Sequence, residues 1–294
     1  MESRIAIVQT PTQEFHKRNG FADKKCDLGD KPPSLQYCRK YTSSLPSDCK
    51  PWKIADMTLL SAGYFAILDS ANLRLKIFTP DFVHITTKIV PDDSHSVASL
   101  HGNKIYVMDK TSVQYYLFND GRVSLEDKFQ LTGMHYDISS AGAVLCLTKL
   151  TTLVLKNDEF ETLETINFKA RMGYSPGAVM YDKDGNLLFY NCDSNSIDCW
   201  NKFQEEKWHV DEVHSCISIH SYQLGWIVVG FKEVIFGDMR GKICVRQIKE
   251  PEIEDYRCSV IDCERKKLFV ADKSIIYEYE LGVENLLNCN NHVE

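Results

Sequence analysis

The stretch Asp56–Phe78 reads DMTLLSAGYFAILDSANLRLKIF, a strand, a turn, a strand, a turn and a strand. At its centre Phe65-Ala66-Ile67-Leu68 is a run of four apolar residues closed by Asp69. Five further runs repeat it. Asp109 closes Ile105–Met108, Thr148 closes Val144–Leu147, Asn191 closes Leu187–Tyr190, Gly230 closes Trp226–Val229 and Asp272 closes Leu268–Ala271. The closing positions 69, 109, 148, 191, 230 and 272 differ by 40, 39, 43, 39 and 42 residues. A repeat of that length carrying several short strands is the sequence sign of a β-propeller, here with six blades.

A strand with one face in water alternates apolar and polar residues. These six runs do not, so each is expected to be buried on both faces between neighbouring blades. Turn residues precede most of them: Ser61-Ala62-Gly63, Gly102-Asn103, Ala141-Gly142, Asp184-Gly185-Asn186 and Leu224-Gly225, with a weaker signal at Cys263–Lys266. Units one to five each add a more polar run, His84–Val90, Val123–Phe129, Glu161–Phe168, Glu206–Asp211 and Cys244–Lys249, suited to the outer edge of a four-stranded blade. Unit six has Cys258–Asp262, Leu268–Ala271 and Ile275–Leu281 but no fourth strand, while Leu35–Tyr41 is a strand without a local partner. The expected fold is therefore all-β. It is a six-bladed β-propeller of four-stranded antiparallel blades, closed by an N-terminal strand. Leu35–Tyr41 is expected to pair with Ile275–Leu281, with Ile5–Val8 as the competing strand. Residues 1–34 read as a flexible tail, 35–282 as the propeller and 283–294 as a C-terminal tail.

The 294 residues suffice for one large β domain, and the hydrophobic content of 44% with 26% charged is that of a soluble globular protein. The net charge of −7 disfavours wholesale nucleic-acid binding, RNA included. No uninterrupted apolar run approaches membrane-spanning length. Met1–Gln9 lacks the apolar core of a signal peptide, and eleven cysteines is an odd number. The expectation is a cytoplasmic protein with free, largely buried thiols.

Lys183–Asn201, KDGNLLFYNCDSNSIDCWN, joins a glycine turn, an apolar run, an Asn, an "SN-I" and a last apolar strand, and Leu68–Phe78 carries the same pattern. This resembles the NHL repeat. Trp52–Leu60, WKIADMTLL, is similar to the entry into the first blade of NHL-like propellers in B-box and tripartite-motif proteins. The resemblance covers about 35–281. It implies a non-catalytic recognition or adaptor domain in the ubiquitin pathway, binding a macromolecular partner and above all a protein. The family's zinc modules are absent: Cys26, Cys38 and Cys49 lack the close pairs those need.

The residues entering the first strand of each unit gather around one mouth of a propeller's channel. They are Trp52, His95, His135 with Tyr136, Tyr174, His214, and Tyr256 with Arg257. Flat aromatic area with a polar edge suits recognition of a partner. The plain alternative is that these rings wedge blades apart. Asn72, Lys110, Lys149, Asn195, Lys232 and Lys273 from the next hairpins share that face, with Asp92, Asp93, Glu252, Glu254 and Asp255. A second function class uses the same positions. His95, His135 and His214 could hold a channel metal as in the NHL-type peptidylglycine amidating lyase, with Tyr174 and Arg257 as substrate groups, and Asp56 and Asp137 are candidates for part of a lactonase-type calcium site. Asp182–Asn186 reads as a hairpin turn rather than a calcium loop, since Leu187, Leu188 and Phe189 cannot coordinate. His209, His214 and Cys216 lack zinc-site spacing, and the pairs Cys192/Cys199 and Cys258/Cys263 read as thiols. No cofactor and no metal is expected.

Overall fold

The computed structural model describes residues 7–8, 33–42, 44–141, 143–149, 151–167, 179–181, 186–201, 205–213, 216–222, 225–231, 233–248 and 257–282. They form six antiparallel meanders arranged as the blades of a propeller ring. Blade one is Ile54–Leu59, Phe65–Asp69, Arg74–Phe78 and His84–Ile89; blade two is Ser96–Leu100, Lys104–Met108, Ser112–Asn119 and Arg122–Gln130. Blade three is Asp137–Ala141, Val144–Thr148, Thr152–Lys156 and Thr162–Asn167; blade four is Val179–Tyr181, Leu187–Asn191, Ser196–Trp200 and Glu206–Val210. Blade five is Cys216–Tyr222, Gly225–Gly230, Glu233–Asp238 and Ile243–Ile248; blade six is Cys258–Asp262, Lys267–Ala271 and Ile275–Gly282. Ser34–Thr42 completes blade six from the other end of the chain.

Alternation along the second strands explains their unbroken apolar runs. Phe65 and Ile67 pack in the cluster shared with blade six, while Ala66 and Leu68 pack in the cluster shared with blade two. Ile105 and Val107 face blade one, and Tyr106 and Met108 face blade three. Each run thus feeds two seams, and burial of each large side chain contributes about 1.5–3 kcal/mol. The closing residue ends the strand by capping the hairpin. Asp109 Oδ1 accepts the N–H groups of Thr111 and Ser112, both at 2.7 Å, and Asp272 Oδ1 accepts those of Ser274 and Ile275, both at 2.7 Å. An Asp or Asn side chain folds the following turn in this way.

Ring closure follows the expected register, from Ser34 opposite Gly282 to Thr42 opposite Ile275 with a bulge between Tyr37 and Arg39. Ile7–Val8 does not compete for that edge. It pairs instead with Gln247 and Arg246 as a fifth strand on blade five. The closing seam holds two clusters of buried charge, around Glu278 and around Lys76. Glu278 accepts Arg39 Nε at 2.8 Å, the Tyr41 hydroxyl, and Lys267 Nζ at 3.2 Å. Burial opposes its ionisation, but these donors together hold its carboxyl below the usual range. Lys76 is fully buried, 2.7 Å from both Asp48 Oδ2 and Asp69 Oδ2, with its ammonium 4.7 Å from the Trp52 ring centroid. It ties the segment after the closing strand to blade one. Removing one member of such a buried set costs about 3–5 kcal/mol, because the other charges stay behind unpaired.

Eight of the described cysteines are free, among them Cys192, Cys199, Cys258 and Cys263, and burial pushes the Cys146 thiol up to about 12. Cys244 is disulfide-bonded, unlike the free thiols expected. No described helix is long and apolar enough to cross a membrane. Deleting 1–30 is expected to leave the melting temperature nearly unchanged, whereas deleting 1–42 strips blade six of its outer strand and lowers it sharply. Thermal denaturation followed by circular dichroism checks this, and equal losses would refute the assigned closure.

Candidate functional site

The six first strands line the axis of the ring, each in contact with the next. They enclose a central cavity of about 310 Å³ whose walls include Asp56, Thr58, Ser99, Ser139, His220 and Ser259. Apolar neighbours on the same strands, such as Ile54 and Ile217, pack into the seams between blades.

The channel's polar groups bond to one another across blades. The Ser96 hydroxyl lies 3.1 Å from Asp56 Oδ2, 2.5 Å from Asp137 Oδ1 and 3.1 Å from the Ile138 carbonyl, linking blades one, two and three. Asp56 also accepts the N–H groups of Val97 and Met57, at 2.7 and 2.8 Å. One hydroxyl hydrogen cannot serve three acceptors. Burial, helped by the charge of Asp137, raises the pKa of Asp56 well above its ordinary value. Thr58 and Ser99 bond at 3.0 Å across blades one and two.

Across blades five and six, His220 Nε2 lies 2.7 Å from the Ser259 hydroxyl and 3.1 Å from that of Ser218, and the two serines bond to each other. Burial depresses the His220 pKa to about 4. The ring is therefore neutral at physiological pH. Sequence reading passed over Ser96, Ser218, His220 and Ser259. Their signal was small polar residues at alternate positions of the first strands, in Cys216–Tyr222 above all.

The expected rim divides. His95, Tyr136 and Arg257 lie half-buried at the starts of first strands, and their backbone N–H groups donate to Met108, Thr148 and Ala271 carbonyls at 3.0, 2.9 and 2.7 Å. All three therefore sit on one face, outside the central cavity. The His95 ring is turned to the Asp93 carbonyl at 2.9 Å. Trp52 is only 5% exposed and packs beside Phe78, so it wedges blades six and one and does not form rim. His135, 6% exposed, turns into a cleft between blades two and three, with Nδ1 3.2 Å from the Gly133 carbonyl. Large side chains next to a seam gain more from burial than from water, which removes both from the mouth. Tyr174, His214 and Tyr256 lie outside the described residues. Missed by the sequence reading, Met134 is 68% and Phe231 38% exposed on the same face. Among the described residues no three of His, Cys, Asp and Glu assemble as a metal-holding group.

No protein-family model matches the chain, and no curated protein matches it. Solved structures similar to it include streptogramin B lyase, at 12% identity and TM-score 0.58 over 85% of this chain and 98% of that one. A catalytically inactive histidine-to-alanine variant of virginiamycin B lyase from Staphylococcus aureus with quinupristin matches at 13% identity and TM-score 0.59, over 81% of this chain and 83% of that one. Selenomethionine-substituted virginiamycin B lyase from the same organism matches at 12% and 0.58, over 86% and 90%. The likeness is one of β-propeller fold.

A histidine held below its ordinary value of 6.5 binds its proton more readily in the unfolded chain. The stability this contributes is full above that value and is lost as pH falls through the window down to about 4. His220→Asn is expected to flatten this part of the acid limb in urea midpoints measured between neutral pH and the acid transition, and an unaltered limb would exclude His220 as its source.

Proposed function

We propose that this propeller is a recognition domain that binds a protein partner through the face carrying His95, Tyr136 and Arg257. The observation that carries the reading is the contrast between that face and the channel. On that face Met134 and Phe231 offer apolar area and Lys110 a side chain 70% exposed, whereas the channel's hydroxyls, carboxylates and His220 are engaged with one another between blades. Apolar anchors ringed by charge are what an interface needs. The NHL-like sequence patterns and the adaptor role they imply agree with this, and the net charge of −7 favours protein over RNA.

The second reading is an enzyme centred on the channel. Ser259 and His220 are within hydrogen-bond reach in a cavity, as a nucleophile and its base would be, and the structural neighbours are lyases. It ranks second because a base with a pKa near 4 draws a proton from serine only weakly.

Met134→Ala combined with Tyr136→Ala is expected to weaken a partner captured by the wild-type protein by roughly thirtyfold, the effect of about 2 kcal/mol for an interface anchor. The comparison is made on purified, folded proteins. Unchanged affinity for every partner would overturn the reading. Stoichiometric labelling of Ser259 by a fluorophosphonate, lost in His220→Asn, would put the enzyme in its place.

A further inference from the structure

The cleft that receives His135 is a cavity of about 550 Å³ between blades two and three. One wall is the end of blade two's outer strand and the loop after it, from Lys128 to Thr132. The other is the side of blade three that carries Thr152, Val154 and Lys156. Alternation along that third strand sends Leu153 and Leu155 to the seam with blade four. Glu164 stands opposite Leu155 in the neighbouring strand and shares its side. The periodicity that brings lysine into the cleft thus takes Glu164 out of it. No Asp or Glu is among the cleft's described walls.

The cations there are held by neutral groups. Lys149 Nζ donates to the Thr132 carbonyl at 3.1 Å. Lys156 Nζ donates to the Phe160 carbonyl at 2.8 Å and the Thr162 hydroxyl at 3.1 Å, and sits 4.4 Å from the Phe160 ring centroid. An ammonium has three N–H donors, so Lys149 keeps two and Lys156 one. Lys128, exposed at the open side, adds a third charge. The field shows on His135, whose pKa is lowered by burial and then by Lys149 and Lys156. Burial likewise lowers Lys156. In a chain of net charge −7, a cleft with three lysines and no acid departs from the surface average.

We propose that this cleft binds an acidic peptide segment of a protein partner, its carboxylates meeting Lys128, Lys149 and Lys156. Carboxylates reach ammonium donors that the fold leaves without a counter-charge, and charge-assisted hydrogen bonds of this kind are the strong ones. A nucleic-acid strand fits less well. Phe129 and Phe160 stack on each other, with centroids 4.4 Å apart, and Phe160 is buried with the Lys156 ammonium against its ring, which leaves little ring face for a base. The site adjoins the rim, with which it shares Lys149, but neither Met134 nor Tyr136 is among its walls.

The probe is a fluorescein-labelled oligoglutamate peptide, titrated with the full chain and followed by anisotropy, with labelled oligothymidylate as the competing polyanion. Saturable binding that weakens with added salt is expected, as for an ion-paired contact. Lys128→Ala with Lys149→Ala should weaken it by at least roughly tenfold. Lys40→Ala, an exposed lysine on the outer strand of blade six, should leave it unchanged, and thermal denaturation should be alike for all three proteins. Lack of saturable binding, an equal loss in Lys40→Ala, no loss in the double variant, or tighter binding of oligothymidylate would each overturn the proposal. Since Met134 and Tyr136 take no part, that failure leaves the rim reading standing.

Discussion

The second strand of every blade has no face in water, and the rest of the architecture answers to that constraint. Its odd and even residues enter different seams, so no blade can bury its own apolar surface alone. Phe65 and Ile67 need blade six as much as Ala66 and Leu68 need blade two. Packing of this kind propagates around the circle until it meets itself, and a ring with one blade incomplete would leave a wall of apolar side chains open. The closing strand is therefore a packing necessity before it is a hydrogen-bonding one. Leu35 enters the seam between blades five and six, and Tyr41 packs at the seam between six and one.

That last seam carries buried charge. Lys76 with Asp48 and Asp69, and Glu278 with Arg39 and Lys267, sit where two distant parts of the chain meet. Apolar contacts alone tolerate sliding, whereas a buried ion pair is satisfied in one register only. A one-residue slip of the closing strand would invert its faces and strand Glu278 away from Arg39 and Tyr41. Trp52, roofing the Lys76 ammonium, belongs to this lock, which is why an aromatic that reads as rim is found inside.

Much of the fold was legible because it rests on local periodicity. Six apolar runs at a step near forty located every second strand, and the orphan pair Leu35–Tyr41 and Ile275–Leu281 located the closure. The candidate site was less legible because propeller topology, and not chain order, decides what meets in the channel. Ser96 with Asp56 and Asp137, or His220 with Ser259, are about one blade apart in sequence and ordinary as single letters. Nothing local distinguishes Trp52 from Tyr136 as they enter their first strands. The difference lies in which has a seam beside it. The pairing of Ile7–Val8 with blade five was illegible for a similar reason, since a two-residue strand carries no pattern.

Ser34 and Gly282, bonded at the closing edge, are 248 residues apart in the chain. During synthesis the strand made early must wait until the third strand of blade six has left the ribosome. In that interval five blades can stack as an open arc, held by their seams but ending in an unpaired edge. The entropic cost of joining such distant segments grows only slowly with their separation, so delay and not distance is the burden. Exposure of an edge strand for that time invites pairing with another chain, which makes the nascent protein a natural client of chaperones and ties its yield in cells to the speed of translation as much as to the stability of the finished ring.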